Sequence, residues 1–449
     1  MNGTLAAYPH AVARPAALSR AGQMFLAVFA IAVFEGAMRK WVATSLTLPL
    51  VALRDLLAFV LVVYAWRGGH LRRHRKITAA MFVWSLLVFG WGLLQLAGGE
   101  SSPLIFIIGL RFWLLYTWFA VAAAATLNET DYRAGILLAA IMMLVMAPLA
   151  VIQHYSPPGA RINTQLDSDE EGIFIVVEGV VRTTGTFSFT AGYSTFLALV
   201  APFVFGVLSA RKRRRWQYVF ATAAFVALVV GALVSGSRTA VISSGGMFMA
   251  YLVGRLLFSK ARQKPAAAVA VVVSLLFFGI FVFFFQEAIT VTQTRFEQAA
   301  AAEAFWPRVA VIFFGEPFVF RSITWLGSGV GYGSNLAANL QAVGKVESFS
   351  LAESEGGRVL LEGGLLGLAY TAIKVVVIVI GVSRSIRLAF RTNSPYPVLL
   401  WLAVTLAILT WPSSGQLTAN VLLGIMLAFG LLLFRFPTVE IFPARPPPK

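Results

Sequence analysis

The sequence predicts an all-α polytopic membrane protein of about 12 transmembrane helices, and three observations predict it. Hydrophobic residues make up 59% of the 449 and charged residues only 12%, with a mean hydropathy of +0.80. No soluble fold has an interior large enough to hide that much apolar surface. The apolar residues also fall into repeated runs close to the ~20 residues that a helix needs to cross a bilayer core, and these runs do not alternate in polarity as barrel strands do. Finally, the basic residues sit in short clusters at the ends of the runs, where membrane topology puts them.

Taken in order, residues 1–23 are polar enough to stay outside the membrane. The run that follows lacks a small-residue cleavage site and is expected to remain as a first helix. Helices are expected near 24–42, 48–66, 78–97, 103–127, 134–153, 187–209, 216–235, 238–258, 265–285, 357–381, 396–411 and 418–434, all within one domain spanning 24–434. Two connections are long, about 155–186 and about 286–356. In the second, Gln286 to Trp306 is alanine-rich with Phe296, Phe305 and Trp306, and reads as a helix lying on the membrane surface. Pro307, Pro317 and the glycines at 327, 329, 331 and 333 then read as irregular chain. The tail 435–449, ending in Pro446, Pro447 and Pro448, is expected to be disordered. No internal repeat is evident.

With the N-terminus in the cytoplasm, the clusters Arg67 to Lys76, Arg211 to Arg215, Arg255 to Lys264 and Arg384 to Arg391 all fall in cytoplasmic loops, and the C-terminus is cytoplasmic as well. The opposite side receives most of the acids, including Glu100, Asp167 to Glu171, Glu178, Glu287, Glu297, Glu303 and Glu316. The net charge of +17 is therefore topology, and the absence of one basic stripe argues against nucleic acid as a partner. Without cysteine there is no disulfide, thiol nucleophile or thiolate metal site. His10, His70, His74 and His154 make no zinc spacing, so neither a metal nor a cofactor is expected.

Charged residues in or beside a hydrocarbon core are costly and mark where to look for chemistry. Glu35 stands with Arg39 and Lys40 near the outer end of the first helix, Arg54 with Asp55 in the second, and Arg111 in the fourth. Arg54 and Asp55 are adjacent and are not expected to face each other, so each should pair elsewhere, for instance with Glu35 or Arg39, in structural ion pairs. Ser235, Gly236, Ser237, Arg238 and Thr239 form a tight outer turn. A cation there runs against the topology rule, and the small residues around it let amides and hydroxyls approach an anion.

The large loop adds Arg295, Arg308, Arg321 and Arg358. Such a set suits a diphosphate, because guanidinium binds phosphate oxygens in a bidentate fork and stabilises charge on a departing pyrophosphate. The plainer reading is that they balance loop acids. Glu353 and Glu355 are close enough to perturb one another, and one of them could serve as a general base; the alternative is a pair of solvated loop acids. The glycine series at 327–333 follows no strand of a dinucleotide-binding unit and is expected instead to let backbone approach a sugar or phosphate.

These residues resemble the O-antigen ligase and polymerase superfamily, membrane glycosyltransferases of bacterial surface polysaccharides with a GT-C/SEDS-like helical fold. The resemblance rests on Ser235 to Thr239 opening a helix, on the long outer loop, on Leu326 to Gly331 after Pro317, and on Glu362, Gly363, Gly364, Leu365, Leu366 and Gly367. Phe34 to Trp41, followed by Arg54 and Asp55, resembles a polysaccharide-polymerase-like branch. The resemblance implies transfer of a glycan from an undecaprenyl-diphosphate donor to an acceptor glycan at the outer face of the bacterial inner membrane, without nucleotide or metal. Arg238 and Arg308 match arginines that would hold the diphosphate, with Arg321 beside them and Ser237, Thr239, Arg358 and Glu362 in support. Ligases of the superfamily carry a histidine in the large loop, and this loop has none; Glu353 stands about where it would fall. That departure favours an exopolysaccharide or O-antigen polymerase in which Glu353 or Glu355 activates the acceptor hydroxyl. A ligase is the alternative, and a polysaccharide or lipid transporter a further one.

Overall fold

The computed structural model describes residues 17–166, 181–212, 214–260, 264–284, 305–340 and 354–443. Among these the chain is helical, with no strand. It runs through α1 (Arg20–Trp41), α2 (Thr47–Arg67) and α3 (Arg75–Ala97), then through α4 (Pro103–Leu110) and α5 (Tyr116–Thr126), which are joined by a π-helical turn at Arg111–Leu115. Next come α6 (Glu129–Tyr155), α7 (Thr190–Ser209), α8 (Arg215–Leu233), α9 (Arg238–Phe258) and α10 (Lys264–Phe284). Four short helices follow, α11 (Phe305–Phe314), α12 (Val319–Ser322), α13 (Asn335–Leu340) and α14 (Glu355–Gly363), before α15 (Leu365–Thr392), α16 (Tyr396–Thr410) and α17 (Leu417–Arg435). Ten helical stretches among the described residues are long and apolar enough to cross a membrane, and α16 is a shorter apolar helix.

Lipid as solvent explains how these helices are arranged. α7 and α17 are buried along most of their length, whereas α2, α3 and α15 turn Leu56, Phe59, Val83, Leu86, Val376 and Ile380 outward, all well exposed. A water-soluble bundle would pay heavily for such faces, while hydrocarbon accepts them. The interior is filled by aromatic packing around Phe429, which meets Phe25, Phe29, Tyr132 and Phe203.

Contacts between helix ends show that successive crossings alternate in direction. At one end Ser19 bonds to Asp131 at the start of α6, Arg435 at the close of α17 donates to the Ala124 carbonyl, and Phe442 packs on Trp216 of α8. At the other end Lys40 bonds to Thr184, Arg161 to the Trp41 carbonyl, and His154 to the Val234 carbonyl. The basic clusters gather at the first end: Arg211, Lys260 and Arg391 line one cavity beside residues 437–442, and His74 lies in the field of Arg435. The opposite end carries the long connections and is called the loop end below.

Asp131 ties the basic end together. Its carboxylate accepts from the Ser19 amide at 2.9 Å, the Ser19 hydroxyl at 2.6 Å and the Asn128 amide at 2.9 Å, so one fully buried acid satisfies the starts of two helices. Asp131→Ala is expected to cost about 1–2 kcal/mol, a loss typical of helix caps, read as a lower thermal midpoint in detergent; an unchanged midpoint would show that these caps are dispensable.

Several expectations change. The expected helix over 357–381 breaks at Gly364, whose φ of 54° suits glycine, and a side chain there would meet the Trp325 carbonyl at 2.4 Å. The Arg384 to Arg391 cluster is helical, forming the last turns of α15, because the apolar run continues past the point where its charges begin. Pro307 lies in the first turn of α11, where a missing N–H costs nothing, so the chain is helical there rather than irregular. Residues 436–443 of the tail are described, with Ile441 and Phe442 buried, since Phe442 finds an aromatic floor on Trp216 and Phe220. The surface helix expected over 286–306 lies outside the described residues except for Phe305 and Trp306, which open α11.

Candidate functional site

Inside the bundle, two residues on the π-helical turn at Arg111–Leu115 reach in different directions. Arg111 forks onto Asp55, with Nε to Oδ2 at 2.8 Å and Nη2 to Oδ1 at 3.1 Å, and its Nη1 donates to Asn420 of α17 at 3.3 Å. The Tyr116 hydroxyl donates to Asp55 at 2.6 Å and accepts from Arg54 Nε at 3.1 Å, while Arg54 Nη1 bonds to Glu35. The expected Arg54–Glu35 pair is present. Asp55 pairs with Arg111 and not with Arg39, whose Nε is bound to Thr47. Contrary to expectation Arg54 also reaches Asp55, at 3.4 Å, since its long side chain can curl back along the helix. The result is a charge network in which the acids and arginines balance, in keeping with a structural role for Glu35 and Arg54.

Trp113, two residues after Arg111, points toward the loop end and donates its indole N–H to Glu362 at 2.7 Å. Glu362 is fully buried at the end of α14 and also accepts from the amides of Gly331 at 3.1 Å and Gly333 at 2.9 Å. Burial pushes its carboxyl up to about 7, with the three donors pulling the other way. Gln95 completes the clamp: its amide donates to the carbonyls of Leu326 and Glu362, and its oxygen accepts from the Val330 amide at 2.9 Å. The glycines let this loop lie against α4, and a side chain on Gly331 would meet the Ile105 carbonyl at 2.6 Å. The amides at 330, 331 and 333, in the segment expected to approach a sugar or phosphate, thus already donate to the protein. Gln95→Leu leaves the buried Val330 amide unpaired and takes one of two donors from each of the Leu326 and Glu362 carbonyls, which keep the Trp91 indole and the Gly329 amide; it is expected to cost about 1–3 kcal/mol and to raise protease cleavage between 324 and 334, and a cleavage pattern like that of the native chain would count against the clamp.

Glu355 opens α14 and is nearly saturated. It accepts from Ser413 Oγ at 2.7 Å, Ser414 Oγ at 2.8 Å, the Ser414 amide at 3.0 Å and Lys374 Nζ at 3.3 Å. Lys374 in turn lies 4.6 Å from the Tyr370 ring, in a cluster with Trp84 and Trp113. The neighbouring Ser354 caps α14 and holds Glu316 by its amide at 2.9 Å and hydroxyl at 3.0 Å. Arg358, half-buried on α14, donates to the Gly333 carbonyl at 3.2 Å and presses on Gly415, where a side chain would sit 1.8 Å from its Nη1.

Arg238 occupies the first position of α9 at the same loop end. Ser237 caps the helix, Gly236 turns the chain with a φ of 61°, and the Ser235 hydroxyl accepts from the Ser237 amide at 3.1 Å. The guanidinium is half-buried and bonds to none of the described residues, and it stands at the positive end of a 21-residue helix. Thr239 is exposed next to it, and Arg321 is exposed on α12. Arg308 sits in the first turns of α11, with its side chain outside the described residues, and Arg295 and Glu353 lie wholly outside them. The described members therefore fall into two groups, Glu355, Arg358 and Glu362 on α14, and Ser237, Arg238 and Thr239 at the start of α9, with Arg321 on α12 in neither and no bond between the groups among the described residues.

Sequence reasoning passed over Gln95, Trp113, Lys374, Ser413 and Ser414. Lys374 was visible as a lone cation in an apolar run, the costly placement that calls for a partner. Gln95 carried the weaker signal of a single amide near a helix end, and the serines none beyond the Trp411 to Gly415 break between helices. Compared with known proteins, the chain matches no family model and no curated protein significantly.

Proposed function

We propose that this protein is a bacterial surface-polysaccharide polymerase of the inner membrane, with the basic end in the cytoplasm and the loop end facing the periplasm. The donor is an undecaprenyl-diphosphate-linked glycan and the acceptor is a second glycan chain. The acceptor hydroxyl attacks the anomeric carbon of the donor sugar, the bond to the diphosphate breaks, and its electron pair leaves on the lipid diphosphate. The hydroxyl proton passes to a carboxylate. Arg238 and Arg308 hold the diphosphate and meet the charge that grows on it, with Arg321 beside them.

The observation that carries this reading is Arg238: a half-buried cation without a described protein partner, at a helix N-terminus on the end of the bundle that carries the large loop. Of the two candidate carboxylates, Glu355 is engaged by four donor atoms, so the reading assigns proton abstraction to Glu353 and the positioning of α14 to Glu355. Glu362 and Arg358 support the loop around the acceptor. Lipid-linked glycans extracted from cells with and without the protein test the assignment. Single repeat units accumulating in its absence support a polymerase. Long lipid-linked polymer accumulating instead points to a ligase, and movement of glycan across vesicles without any change in length points to a transporter.

A further inference from the structure

We propose that the basic end holds a second, separate anion site: a cavity that binds a phosphate ester, whether as the headgroup of an anionic phospholipid or as a free phosphate compound. The cavity measures about 480 Å³ and is formed where four chain segments meet. These are the end of α7, the residues after α9, the turn between α15 and α16, and the segment after α17. Its volume falls within the ~300–1,000 Å³ of ordinary small-molecule sites. Arg211, Lys260 and Arg391 line it, each from a different segment, and Glu440 is the one acid in the lining.

Topology alone accounts for cations at this end, but not for their different states. Four helices finish here, and their carbonyl termini attract positive charge. Lys212 answers that attraction, donating to the carbonyls of Leu208 at 2.6 Å and Ala210 at 3.1 Å, and Arg435 does the same at Ala124 at 2.7 Å. Arg211, Lys260 and Arg391 make no such bond to any described residue; all three are exposed, yet they line one cavity open to solvent. Three cations against the single acid of the lining leave a net positive charge, which an anion would offset. Crowding is evident next door, where burial and then the charge of Arg255 lower the Lys212 ammonium to about 8.

Hydrogen-bonding groups accompany the cations. Asn393 takes a left-handed conformation with a φ of 51°, the only such non-glycine residue among those described, and turns the chain so that Ser394 lines the cavity. The Ser394 hydroxyl accepts from the Tyr396 amide at 3.3 Å, which leaves its proton to donate. Tyr396 and Phe442 supply apolar wall for the carbon part of an ester. The chemistry is that of a phosphate mono- or diester, and it does not depend on the glycosyl-transfer reading.

The test uses the full-length protein purified in detergent and compares a triple variant, Arg211→Ala, Lys260→Ala and Arg391→Ala, with a charge-matched control, Arg72→Ala, Arg73→Ala and Arg75→Ala, whose residues are exposed at the same end. Retention of phosphatidylglycerol is measured by native mass spectrometry and by titration into nanodiscs of phosphatidylglycerol and phosphatidylcholine. Glycerol 3-phosphate is added separately in a thermal-shift assay. The expected result is binding at least tenfold weaker for the site variant and unchanged for the control. Retention of the phospholipid only marks a lipid headgroup, and a shift with glycerol 3-phosphate marks a soluble ligand. Should the triple variant fail to fold, the single variant Arg391→Gln is measured in its place. Equal loss in site and control variants, or no loss in either, would overturn the proposal.

Discussion

Arg54→Leu is expected to destabilise the protein by about 3–5 kcal/mol, the usual consequence of removing one partner from a buried ion pair. Arg54 is fully buried and bonded to Glu35, Tyr116 and Asp55, so its loss strands Glu35, which is itself only 3% exposed. The charge of Arg39 also acts on Glu35, but Arg39 is bound to Thr47 through its Nε and makes no hydrogen bond to the acid among the described residues, so it offsets the loss only in part. The measurement is a thermal or denaturant midpoint in detergent, with Glu35→Gln/Arg54→Leu as the companion. The double variant should be less destabilised than the two single losses combined, since neither charge is then left alone. A single variant that melts with the native protein would mean that the network contributes nothing to folding.

If the proposed polymerase reading holds, Arg238→Ala is expected to reduce chain elongation by about a hundredfold or more, the usual cost of removing one electrostatic donor from a transition state. Its midpoint should stay near that of the native protein, because Arg238 bonds to none of the described residues and its removal orphans none of them. This combination of lost activity and retained stability separates it from Arg54→Leu. The assay is the length distribution of lipid-linked glycan made by membranes containing equal amounts of each protein. Polymer of native length from the variant would remove Arg238 from the mechanism.

The two variants also illustrate what could be read in the sequence. Arg54 was legible because a charge inside an apolar run must find a partner, and beyond the adjacent Asp55 the nearest acid was Glu35 on the preceding helix. Arg238 was legible because a cation opposed the charge pattern of its side. The partners of Glu355 and Glu362 were not, since Ser413 and Ser414 lie 58 and 59 residues from Glu355, and Trp113 lies 249 from Glu362. Nothing local to either acid distinguishes a solvated carboxylate from one saturated by distant donors. Lys374 shows a different failure: its cost was visible in the run, but nothing there pointed to an acid beyond the break at Gly364.

What the sequence by itself determined is the set of apolar helices and the gathering of basic clusters at one end of the bundle. Both are local properties, because a helix in lipid satisfies its backbone within its own segment and a basic cluster carries its topological preference wherever its helix packs. Only the tertiary structure decided that the tenth expected helix breaks at Gly364, that Arg111 and Trp113 serve different networks from one π-helical turn, and that three cations from separate segments share a cavity. Those outcomes depend on which surfaces meet across the bundle. The break at Gly364, for example, follows from the Trp325 carbonyl lying where a side chain would stand, a neighbour that no residue near position 364 in the chain can disclose.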